Sequence, residues 1–107
     1  MKAQVLLTGA TGYVGGRLLR QFEEDGRSVR CLARDTTRLP ATDPAIEVVQ
    51  GDVLDESSLD RAFIGVETAY YLVHSMAGKA DFADADRRAA DNFGRAAARA
   101  GVQRIVY

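Results

Sequence analysis

Cysteine, proline and histidine are scarce in this chain of 107 residues, at one, two and one, and tryptophan is missing altogether. The lone Cys31 excludes an internal disulfide framework and a thiol-based zinc cluster from this chain alone, so a reducing cytoplasm is the natural compartment. His74 has no second histidine or cysteine-rich spacing beside it, which removes the basis for a metal site. No apolar stretch is long enough for a signal peptide or a membrane span. Neither sign of charge prevails, with 14 basic residues against 15 acidic ones. No broad field exists to collect nucleic acid, and any anion site must be local. The composition, 47% hydrophobic and 27% charged, is that of a folded globular domain with one core.

Hydrophobic spacing alternates between two periods. Val5-Leu6-Leu7-Thr8 is a short apolar run suited to a parallel strand buried on both faces. From Tyr13 onward Val14, Leu18 and Phe22 fall four apart with Leu19 beside them, an amphipathic helix that Gly26 closes. Val29, Cys31 and Leu32 read as strand 2, and Asp35 to Pro44 as an irregular connection with room for one helical turn near Thr37 to Leu39. Ile46, Val48 and Val49 give strand 3. Asp55 or Ser57 caps a short helix carrying Leu59, Ala62 and Phe63, and Gly65 ends it. Ala69 to Val73 is strand 4. Asp84 to Ala100 is a longer helix with Ala89, Phe93, Ala96, Ala97 and Ala100 on one face. Val102 to Tyr107 begins strand 5. Strands alternating with helices predict an α/β fold, a parallel sheet of order 3-2-1-4-5 with helices on both faces. A chain ending at Tyr107 leaves an apolar edge strand uncovered. The expectation is therefore that these residues are the N-terminal part of a longer parent, or that the strand 5 edge self-associates.

The chemistry sits between strand 1 and the first helix, where Thr8-Gly9-Ala10-Thr11-Gly12-Tyr13-Val14-Gly15 fits G-x-x-G-x-x-G. Gly9 makes the turn off the strand, Gly12 lets backbone approach a pyrophosphate, and Gly15 lets the helix pack closely. The amides of Tyr13 and Val14 stand at the helix start, where unpaired N–H groups favour an anion, and Thr11 adds a hydroxyl donor. A tight turn that binds nothing is the blander account of the same glycines.

The wording TGATGYVG resembles the short-chain dehydrogenase/reductase superfamily in its extended or atypical branch, which includes NAD-dependent epimerase/dehydratase-like proteins. The resemblance runs along essentially the whole chain: Gly51-Asp52-Val53 matches the adenine-side GD motif, and Ala100-Gly101-Val102 leading to Arg104-Ile105-Val106-Tyr107 matches the approach to strand 5. Tyr70-Tyr71-Leu72-Val73-His74-Ser75-Met76 looks most like NmrA-like or NAD(P)H-binding members. The resemblance implies a Rossmann-type three-layer sandwich. It also implies that Asp52 accepts a hydrogen bond from the adenine amino group beside the Val53 backbone, although Asp52 also suits a plain helix-capping loop. His74, just past strand 4, either borders the nicotinamide ribose or is a hydrogen-bonded loop residue.

The end of strand 2 bears on the choice of dinucleotide. The family's acidic position falls on Ala33, and Arg34 after it suits a 2'-phosphate, which predicts NADP with NAD as the alternative. Asp35, at a spacing that a generic rule accepts as a ribose ligand, stands against this. In the family the proton donor to a carbonyl is the Tyr of a Y-x-x-x-K pair on the helix after strand 5, and no Tyr here is followed four residues later by Lys. No residue of this chain is therefore assigned to catalysis. Two functions stay open: the cofactor half of an NAD(P)-dependent oxidoreductase acting on a small molecule, or a non-catalytic module that senses NADP.

Overall fold

The computed structural model describes residues 5–39, 44–73 and 80–107, with residues 80–83 described by their backbone only. Among the described residues five strands and three α-helices follow one another: β1 Val5–Thr8, α1 Tyr13–Glu24, β2 Val29–Ala33, β3 Ile46–Gln50, α2 Glu56–Ala62, β4 Thr68–Tyr71, α3 Ala80–Ala100 and β5 Arg104–Val106. A 3-10 turn, Thr36–Arg38, follows β2. All pairings are parallel and the order is β3-β2-β1-β4-β5, as the alternation predicts.

Strand periodicity sorts the core into two layers. Val5, Leu7, Val29, Cys31 and Ile46 pack against Phe22 of α1, while Leu6, Leu32 and Ala69 pack against Leu59, Phe63, Phe93, Ala96 and Ala97 of the α2–α3 side. Successive side chains on a strand point to opposite faces, so neighbours in sequence serve different cores. Phe93 stands 4.9 Å from Phe63 and 4.8 Å from Tyr71, ring centre to ring centre, in the tilted arrangements that aromatic quadrupoles favour.

Three sequence expectations shift. Val14 is exposed, because the buried stripe of α1 is centred among Gly15, Leu18, Leu19 and Phe22, and Val14 lies about 90° from that centre, in the first turn. Ala100, the last residue of α3, is exposed beyond the packed face. Strand 4 ends at Tyr71, although Leu72 still donates its N–H to the Thr8 carbonyl at 2.9 Å.

Arg30 is the charge that the apolar reading of strand 2 passed over. It is buried on β2 and its guanidinium donates to the carbonyls of Ala62 and Ile64, both at 2.7 Å, and to Glu47 at 2.9 Å. The cation thereby satisfies carbonyls at the C-terminal end of α2, where orphan acceptors and the helix dipole favour it.

Candidate functional site

Parallel strands deliver their carboxyl ends to one edge of the sheet, and a cleft of about 560 Å³ opens there. That edge is where open α/β sheets bind ligands. Thr8, Gly9, Thr11 and Gly12 form one wall, Arg34, Asp35 and Arg38 a second, Gly51 to Leu54 a third, and Ala85, Asp86 and Ala89 of α3 a fourth. A smaller cavity of about 380 Å³, lined among others by Thr11, Gly12, Tyr13, Arg20 and Arg38, adjoins it on the α1 side.

Backbone contacts explain the glycine spacing. Gly9 has φ of +100°, and a Cβ on it would stand 2.5 Å from the Leu72 carbonyl oxygen. A Cβ on Gly15 would stand 2.1 Å from the Gly9 carbonyl oxygen. Strand β4, the loop and α1 are thus stacked backbone on backbone. Gly12 is the N-cap of α1 with no side-chain cap, and the first i→i−4 bond runs from Gly16 N–H to the Gly12 carbonyl at 2.8 Å. The amides of Tyr13, Val14 and Gly15 precede that bond, and no acidic side chain stands in the first turn.

The remaining sequence candidates divide. Arg34, Asp52 and Val53 join Gly9, Thr11 and Gly12 around the cleft; Tyr13 lines the adjoining cavity; Val14 and Gly15 line neither. His74 lies outside the described residues. Asp52 does the loop work that its position also allowed: its Oδ1 accepts the Leu54 N–H at 2.9 Å, and its backbone N–H donates to Ser58 Oγ at 2.9 Å. Asp55 holds the N-cap position of α2, but its carboxylate takes the Ser57 hydroxyl instead of a backbone N–H. Asn92, on α3, donates to the Val53 carbonyl at 2.9 Å and so ties the third wall to the fourth.

Arg38 and Thr8 went unassigned in the sequence. Arg38 lines both cavities; its only sequence signal is a second basic residue four after Arg34. Thr8 is 3% exposed, and among the described residues its hydroxyl is the one buried side-chain polar atom without a hydrogen-bond partner. An orphan hydroxyl in the cleft wall suits an oxygen-rich ligand. Asp35 is held below the usual carboxylate range by the Thr37 hydroxyl and then the Thr37 amide.

The profile of a family described as NAD(P)H-binding matches residues 9–107. The chain belongs to this family. It is 41% identical over 102 residues to the (4-alkanoyl-5-oxo-2,5-dihydrofuran-3-yl)methyl phosphate reductase of Streptomyces griseus, covering 95% of this chain and 33% of that protein. It is 34% identical over 114 residues to a 3 beta-hydroxysteroid dehydrogenase/Delta 5→4-isomerase of Mycobacterium tuberculosis, covering 97% of this chain and 30% of that protein. The triphenylmethane reductase of Citrobacter sp., solved with NADP(H), superposes with a TM-score of 0.81 at 26% identity, over 95% of this chain and 35% of that one. The chain therefore spans about a third of the length of these proteins. The resemblance to short-chain dehydrogenases and reductases holds at the level of sequence and of fold.

Proposed function

We propose that these residues form the cofactor-binding part of a longer NADP(H)-dependent reductase that acts on a small molecule. The observation that carries this reading is the cleft itself. The glycine loop Gly9 to Gly12, which leads into the N-terminus of α1, borders one side, Arg34 and Arg38 rim the other, and the volume falls within the range of ligand pockets. The amides and the glycine loop suit a pyrophosphate, the Gly51–Leu54 wall suits adenine, and the orphan Thr8 hydroxyl offers a further donor. Arg34 makes no side-chain contact that competes with a phosphate among the described residues, and a guanidinium fork matches that group. When bound, the dinucleotide supplies or accepts hydride, while this chain holds it and shields it from water.

Cofactor preference tests the binding half. Titrating the full chain with NADPH and with NADH is expected to show tighter NADPH binding, and Arg34→Ala is expected to raise the NADPH dissociation constant about tenfold, the scale of one charge-assisted contact. An unchanged preference removes Arg34 from the site. Incubating the full-length parent with NADPH and a panel of carbonyls and quinones tests the other half. Consumption of NADPH supports the reductase, and tight binding without turnover supports a module that only reads NADP.

A further inference from the structure

Arg34 and Asp35 stand side by side on the cleft wall, one suited to a 2'-phosphate and the other to ribose hydroxyls. Asp35, however, is already engaged. Its Oδ1 accepts the Thr37 N–H at 3.0 Å and the Thr37 hydroxyl at 2.5 Å, and so caps the 3-10 turn Thr36–Arg38. Arg38 N–H on the Asp35 carbonyl at 3.3 Å and Leu39 N–H on the Thr36 carbonyl at 3.2 Å close that turn. Arg38 leaves it at the junction of the two cavities, beside Thr11 and Gly12.

We infer that Asp35 is a positioning residue for NADP: through Thr37 it holds the turn that sets Arg38 against the glycine loop, where Arg38 and Arg34 together receive the 2'-phosphate. The inference rests on the NADP reading above and gives Asp35 a role opposite to that of a ribose-binding acid. Giving both carboxylate oxygens to the ribose hydroxyls would release the two Thr37 bonds on Oδ1 and leave a three-residue turn without its cap, in a segment too short to hold itself. Repulsion between Asp35 and a phosphate is screened by solvent at this exposed position, and two guanidiniums outweigh one carboxylate.

The test is a set of dissociation constants for NADPH and NADH with the full chain, for the wild type, Arg34→Ala, Arg38→Ala, Asp35→Ala and Asp35→Asn. Asp35→Ala and Arg38→Ala are each expected to weaken NADPH roughly tenfold while NADH moves by less than about twofold. A double variant that joins Asp35→Ala to Arg38→Ala is expected to be no worse than either single one, because both act on one contact. Asp35→Asn keeps an oxygen acceptor for Thr37 and is expected to retain the wild-type preference. General loss of fold would weaken both cofactors together, so the ratio isolates the positioning effect. Weaker NADH binding with NADPH unchanged or improved, in either Asp35 variant, would make Asp35 a ribose ligand and overturn the inference. If Arg34→Ala abolishes the preference while Asp35→Ala and Arg38→Ala leave it intact, the NADP reading survives and the role of Asp35 falls. A wild type that prefers NADH removes the NADP reading itself.

Discussion

Gly15 and Cys31 are both buried on the α1 side of the sheet, and each makes a measurable demand. A methyl group on Gly15 would meet the carbonyl oxygen of Gly9 at 2.1 Å and its carbon at 2.7 Å. Both are backbone atoms, so no side chain can turn aside. Gly15→Ala is expected to destabilise by about 3 kcal/mol or more, read as a lower urea midpoint. Burial, with Glu23 adding to it, pushes the Cys31 thiol up from 9.0 to about 12. The raised value means that folding favours the protonated thiol. This contribution is whole below pH 9.0 and is lost as pH climbs towards about 12. Cys31→Ala, which removes the titrating group, is expected to flatten the fall of stability with alkaline pH, followed by urea melts between those limits. The glycines were readable because each stands where a side chain cannot, and the pattern of small residues records that directly. Arg30 was not, since its partners are carbonyls of Ala62 and Ile64, more than thirty positions away and common to every residue type.

At the scale of elements, the α2–α3 seam connects packing to the site. Arg95 and Arg99 both reach Glu56, and Arg99 also reaches Asp60 at 2.8 Å. The two arginines hold the Glu56 carboxyl below the usual range. A depressed value stabilises the fold above the ordinary pKa of 4.5 and is lost as pH falls below it. Glu56→Gln is expected to lower Tm slightly at pH 7 in low salt, with the difference vanishing near 1 M salt, because these groups are accessible to solvent. Asn92 belongs to the same seam and acts on the cleft through the Val53 carbonyl. Asn92→Ala is expected to cost about 1 kcal/mol of stability and to weaken NADPH and NADH equally, in contrast to the arginine variants. Helix existence was legible here and helix limits were not. The spacing starts the last helix at Asp84, but α3 begins at Ala80 and Asp84 lies inside it, where its carboxylate faces Arg87 at 3.9 Å and Arg88 at 3.8 Å. Acid before base at three and four residues serves a helix interior as well as a helix start. Val14 misled in the same way. Four-residue spacing identifies a helix, and only the packed sheet decides which stripe it buries.

For the molecule as a whole, the sheet order followed from the alternation of periods, since parallel crossovers leave few topologies. The Arg38 wall did not follow, because it depends on a three-residue turn whose direction comes from a side-chain cap. Saturating NADPH is expected to raise Tm. At about one hundred times the dissociation constant the added stability is about 2.7 kcal/mol, worth roughly 10–20 °C in a domain of this size. The interlock of Leu72, Gly9 and Gly15 has a further consequence for how such a molecule can change. Two of its glycine positions abut main chain, so mutation has little freedom to reshape the cradle there without unfolding it. The rim at Arg34, Asp35 and Arg38 is exposed and tolerant by comparison. Evolution or a designer seeking a different dinucleotide would find its viable steps on that rim, and a library of single substitutions should show tolerance rising sharply from Gly9 and Gly15 to Arg38.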